Sequence, residues 1–206
     1  MSKLSNRKLG ITALVLLGLV LIGASVYLVV HRNSRRNQHN EATQQTSYRD
    51  STTGVEIKYS EQTTKAQAIS EADRKNNIIL RLTEQQGQTP VLITLRYESG
   101  LRSVATITKG SIIDIIMGNS EKALPQRFRG FRKETSRRYE HNGRNAGEII
   151  FTYDSPMPNE RIKQKLTIFV KDDDTAVYLA MQSKETDFGR VEAETFDPMA
   201  ATLASR

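Results

Sequence analysis

The chain has 206 residues, with 30 Lys or Arg against 23 Asp or Glu, three His, and neither Cys nor Trp. That length suits one ordinary domain plus an appendage, and the lack of cysteine excludes a disulfide framework, a CxxC redox pair, a thiolate zinc site and a lipid-modified N-terminal cysteine. Only 37% of the residues are hydrophobic, and because apolar residues crowd into the first thirty positions the remainder is more polar still; composition alone names no activity.

Leu9 to Val30 is an uncharged run of 22 residues, which at about 1.5 Å per helical residue covers a hydrocarbon core of roughly 30 Å. Lys3, Arg7 and Lys8 precede it, His31, Arg32, Arg35 and Arg36 follow it, and Tyr27 stands near one end where an interfacial aromatic is favoured. The competing reading is a secretory signal cut after Gly23-Ala24-Ser25, which would release a secreted domain. The apolar run continues through Val26 to Val30, and no Ala-x-Ala site closes it. The reading is therefore a cytoplasmic tail (1–8), a transmembrane helix (9–30), a polar tether (31–47) and a head (48–206). Lys and Arg are balanced across the span, so charge does not orient it. The short tail is the simpler part to leave in the cytoplasm, giving a single-pass cell-membrane protein with its head outside.

Residues 1–40 hold six Lys or Arg and no acid, leaving 24 against 23 for the rest. The basic excess belongs beside the membrane, where it meets anionic headgroups. Lipid contact through the anchor is expected, and nucleic-acid binding is not. The tether, rich in Asn, Gln, Arg, Ser and Thr, has too little apolar surface to fold.

In the head, period-two alternation marks strands at Val55-Ile57-Tyr59, Ile78-Leu80-Leu82, Val91-Ile93-Leu95-Tyr97, Ile149-Phe151-Tyr153, Ile162-Leu166-Ile168-Val170 and Val177-Leu179-Met181, each half-buried. The last three suit an antiparallel meander. Ser111 to Gly118 is expected to be a short helix capped by Ser111 and stopped by Gly118, with a strand as the alternative. The last helix is expected to start with Asp197 as its N-cap, Pro198 beginning or kinking it. Strands flanked by helices give an α+β class with one mostly antiparallel sheet.

His141 is the one histidine of the head and stands in a turn signal, Glu140-His-Asn-Gly-Arg144. A hydrolase would have to be built on it, and an exposed turn residue is the plainer reading. Asp172-Asp173-Asp174 lacks the further ligands of a calcium loop and reads as a polar hairpin tip. No catalytic, cofactor or metal residue is therefore assigned. Between 121 and 138 the chain gathers seven Lys or Arg against two Glu. Arg127, Arg129, Arg132, Lys133, Arg137 and Arg138 are the candidate contacts for a protein partner or anionic lipid. The competing reading is a solvated, ion-paired strand face, with Phe131 and Tyr139 together on the opposite side.

Asn142-Gly-Arg-Asn-Ala-Gly-Glu-Ile-Ile-Phe-Thr-Tyr153, Ile162-Lys-Gln-Lys-Leu-Thr-Ile-Phe-Val170, Ala176-Val-Tyr-Leu-Ala180 and Phe196-Asp-Pro-Met-Ala-Ala-Thr-Leu-Ala-Ser205 resemble the C-terminal half of PsbP-like domains. Tyr48-Arg-Asp-Ser-Thr-Thr-Gly-Val-Glu-Ile-Lys-Tyr59 resembles the family's first hairpin, although Ser60 stands where the family pattern has Pro. The resemblance spans about 48 to 205. It implies an α-β-α sandwich that binds proteins and is not an enzyme; photosynthetic members are extrinsic subunits at a lumenal membrane face, and a nuclear member binds a small GTPase.

Overall fold

A computed structural model describes residues 45–84, 91–108 and 110–205. The expected span at 9–30 lies outside them. No helix among the described residues is long and apolar enough to cross a membrane.

Seven strands form the main sheet, in the order β3 (Thr64–Ala66), β4 (Ile78–Glu84), β5 (Leu92–Glu98), β9 (Ala176–Lys184), β8 (Arg161–Val170), β7 (Arg144–Asp154) and β6 (Arg132–His141). Every pairing is antiparallel; β7 to β9 run as the expected meander, and β6 extends it by one strand. A smaller sheet joins β1 (Gln45–Arg49), β2 (Val55–Ser60) and β10 (Ala204–Ser205). β1 begins inside the segment assigned to the tether, its Gln45 paired with Ser60.

Two apolar layers sandwich the main sheet. On one face, Leu101 of α2 (Leu101–Thr108) and Ile113, Ile116, Met117 and Leu124 of α3 (Ile112–Arg127) pack on Ile149, Phe151, Leu166, Ile168 and Tyr178. On the other, the small sheet and the C-terminal helical segment set Ile57, Phe188, Val191, Phe196 and Leu203 against Leu82, Leu95, Phe169, Leu179 and Met181. Since β9 is central and both faces are covered, it is buried continuously from Ala176 to Ser183. It is therefore not the half-buried strand that alternation suggests.

The Ser111 cap is present, its Oγ accepting from the Asp114 N–H at 3.3 Å. Gly118 does not stop the helix, which runs sixteen residues to Arg127 with Pro125 inside its last turn. The buried positions 113, 116, 117, 120 and 124 follow the 3.6-residue period onto the sheet, and that packing outweighs the roughly 1 kcal/mol helix penalty of glycine. Asp197 is not a cap either. A 3₁₀ turn (Glu185–Asp187), α4 (Phe188–Val191), a π turn (Glu192–Phe196) and α5 (Asp197–Ala201) run on without a break. Asp197 is already helical, and Pro198 is the second residue of α5, directly after the π turn. Between β3 and β4 stands the one-turn α1 (Glu71–Lys75), closed by a reciprocal capping box between Ser70 and Asp73.

Candidate functional site

The segment 121–138 does not form one basic surface. Strand β6 carries a bulge: Lys133 pairs with Phe151 but Thr135 pairs with Ile150, so Glu134 is an extra residue. An inserted residue reverses which face each later side chain meets. Phe131 accordingly packs in the α3 layer, 5.3 Å from the Phe151 ring, and Tyr139 packs in the other, correcting the expectation that they share a side.

The cations follow the same split. Lys133 reaches Glu121 of α3 at 2.9 Å, and Arg138 reaches Asp114 at 2.5 Å. Arg137 turns to the opposite layer and pairs with the buried Glu148 at 3.0 Å. Arg129 is highly exposed and lies 3.4 Å from Asp154, which also accepts from Arg161 at 2.8 Å. That Asp154 carboxylate fills the space beside Gly130, whose φ of +66° suits glycine and whose added Cβ would meet it at 2.3 Å. Arg132 is exposed on β6, the strand at one edge of the main sheet.

Arg127 behaves differently. It continues the inward stripe of α3, three residues beyond Leu124, and all three guanidinium nitrogens are buried with no hydrogen-bond partner. Burial and the neighbouring positive charge of Arg96 both push its pKa down. The face of the main sheet that α3 covers also carries polar residues, in two separate rows. Arg96 lies over the Tyr178 ring at 4.0 Å, and the Tyr178 hydroxyl donates to Glu98 at 2.6 Å. Gln164 on β8 is opposite Gln182 on β9, and the Tyr153 hydroxyl donates to Gln182 Oε1 at 3.3 Å. Phe128, next to Arg127, stacks 4.4 Å from the Tyr153 ring. Gln164 is fully buried, and neither of its amide atoms has a partner. Of this group, sequence reasoning identified only Arg127. Gln164 did leave a signal, a polar residue on the face of β8 that otherwise shows Ile162, Leu166 and Ile168.

His141, half-buried, ends β6 rather than standing free in the turn. Its ring meets Phe169 edge-on at 4.8 Å, and its Nε2 lies 3.3 Å from the Leu203 carbonyl. These contacts hold the C-terminal end against the sheet. It borders a pocket of about 170 Å³ that Arg144, Lys171 and Leu203 also line, and Arg144 donates to the Lys171 carbonyl. The three aspartates do form the β8–β9 tip. Asp174 accepts from the N–H groups of Gly100 and Arg102, both at 3.1 Å, at the start of α2, and Asp173 pairs with the Arg102 guanidinium at 2.5 Å. Among the described residues no group of three or more His, Cys, Asp or Glu is arranged to hold a metal ion.

No family model matches the sequence, and no curated protein matches it by sequence. By structure, the chain is similar to cyanobacterial PsbP (CyanoP) from Synechocystis sp. PCC 6803, at a TM-score of 0.53 and 13% identity, over 84% of this chain and 99% of that one. A Pseudomonas aeruginosa protein of unknown function, PA94, aligns at a TM-score of 0.47 and 10% identity, over 79% of this chain and 97% of that one. LpqN of Mycobacterium tuberculosis, a protein involved in cell envelope biogenesis, aligns at 0.47 and 10%, over 73% and 84%. The antiparallel sheet covered on both faces, together with the match over nearly all of the cyanobacterial protein, gives the described part of the chain a PsbP-like fold.

Proposed function

We propose that this protein is a single-pass membrane protein whose PsbP-like head lies outside the cytoplasm and works as a non-catalytic binding module. The anchor is the uncharged segment 9–30 with basic residues at both ends. The partner is an acidic protein, met at the β6 edge of the sheet. The observation that carries this reading is that β6, ten residues long, is an edge strand with exposed Arg132 on it and exposed Arg129 just before it. An open strand edge offers a row of backbone donors and acceptors to an added strand, and the arginines select for acid. The near-neutral balance of residues 41–206 gives no reason to expect a nucleic-acid partner.

Photocrosslinking in the native membrane tests this. With a photoreactive residue at exposed Glu140 of β6 in the full-length chain, a discrete protein adduct is expected, and Arg129→Glu with Arg132→Glu should reduce it several-fold. An adduct unchanged by charge reversal, or no adduct at all, would return β6 to an ordinary solvated edge.

A further inference from the structure

We infer that the pocket of about 170 Å³ between the turn end of the main sheet and the small sheet is a binding site for a small carboxylate with a compact apolar group. The apolar group enters the pocket, and the carboxylate stays at the mouth beside Arg144 and Lys171. The site does not rest on the β6 edge and stands or falls without it.

Strand register builds the pocket from two rows. Phe169 of β8 pairs with Val177 of β9 on one side and with Ala146 of β7 on the other. Side chains on one face of a strand recur at every second residue. Arg144, two before Ala146, and Lys171, two after Phe169, therefore stand in the next row toward the strand ends, with His141 of β6 opposite Arg144. The small sheet covers the inner row with Val55 of β2, with Leu203 and with Ala204 of β10. Both sheets end here: β10 adds only Ala204 and Ser205 to β2, and the β6–β7 hairpin closes through Asn142 and Gly143, both with positive φ. The pocket lies between these ends, and all of these residues except Ala146, Ser205 and Gly143 line it.

The inner row is apolar and the outer row is cationic. Val55, Phe169, Val177 and Leu203 are each 7% exposed or less. A cavity of about 150 Å³ with walls of this kind takes up benzene, which sets the size of the apolar group. At the mouth, Arg144 is positioned by donating to the Lys171 carbonyl, and no Asp or Glu is among the described residues that line the pocket. Cationic side chains beside an apolar wall select an anion that also has an apolar body. The charge of Lys171 is shared with Asp172, 3.3 Å away, and drawing a second negative charge out of water toward an apolar wall costs more than drawing one. A singly charged carboxylate therefore fits better than a doubly charged phosphate ester.

The test is a fluorine NMR titration of 4-fluorophenylacetate with the full-length chain in detergent, read against detergent alone, and its displacement by phenylacetate, benzyl alcohol and acetate. Saturable binding is expected, with Kd on the order of 0.1–1 mM. Benzyl alcohol, which lacks the charge, and acetate, which lacks the apolar body, should each compete at least about tenfold more weakly than phenylacetate. Arg144→Gln should weaken binding about tenfold, and Ala204→Phe should abolish it by filling the pocket from the small sheet. Both positions are exposed, so both variants are expected to fold, as thermal melting will check; should one fail, the other and the ligand series decide. Benzyl alcohol competing as well as phenylacetate would overturn the role of the cationic mouth, and acetate competing as well would overturn that of the apolar wall. Binding unchanged in the two variants, or none beyond detergent alone, would overturn the site.

Discussion

Gly147 of β7 lies directly beneath Met117 of α3. A methyl group added at Gly147 would stand 2.5 Å from the Met117 sulfur and 3.1 Å from Ile113 Cδ1. The helix that carries Arg127 inward therefore rests on the bare backbone of a strand. In an open strand, replacing glycine by alanine is mildly favourable; here it overfills a packed layer, since Met117 is fully buried. Gly147→Ala should cost about 1–3 kcal/mol. Combined with Met117→Ala, the cost should fall well short of the sum of the two single changes. Chemical denaturation of the four proteins measures this, and strict additivity would mean that the contact is not what holds α3 at this height.

The opposite layer is tied by Lys165, whose ammonium lies 2.8 Å from Asp197, 2.9 Å from Glu192 and 3.2 Å from Glu148. Burial alone would lower its pKa, but the hydrogen bonds to Asp197 and Glu192 and the charge of Glu148 prevail and raise it. Lys165→Met leaves the Glu148 carboxylate, 4% exposed, with only Arg137. The change should cost about 3–5 kcal/mol, whereas Asp197→Ala, at the solvent-facing corner, should cost less than about 1 kcal/mol. Equal losses in urea midpoint for the two variants would show that the cage is not the anchor of the C-terminal segment.

Acid should weaken the head through Asp73. Burial works against its ionised form, yet hydrogen bonds from Ser70 and the Arg81 guanidinium hold its carboxyl below the ordinary range. A carboxyl whose folded pKa is depressed adds stability that is full above its unfolded pKa, about 3.9, and is lost as pH falls through the folded value. The stability difference between wild type and Asp73→Asn should thus be constant from pH 7 to about 5 and shrink below about pH 4. A difference that persists unchanged at pH 2 would assign the effect to packing.

The sheet was largely legible in the sequence because alternation reports it directly: the β7–β8–β9 meander and the hairpin of β1 and β2 stand where periodicity and the PsbP resemblance placed them. Three things were hidden, each because tertiary packing decided it. Nothing local announces the extra residue at Glu134, yet it sends Tyr139 and Arg137 to the other face. Gly118 is a helix stop by propensity and a helix interior by packing. Arg127 read as one more surface cation while α3 was taken to end nine residues earlier; only the longer helix shows that it falls on the inward stripe. The Asp174 cap joins residues more than seventy positions apart, beyond what any local spacing reveals.

The central claim, a retained anchor with the head outside the cytoplasm, is tested most directly by adding protease to intact spheroplasts expressing the full-length chain and sequencing the N-terminus of the untreated membrane-bound protein. The account predicts that protease degrades the head without lysis and that the mature chain still begins at or near Met1. A head that is protected until the spheroplasts are lysed, or a mature chain that begins at Val26, would contradict it.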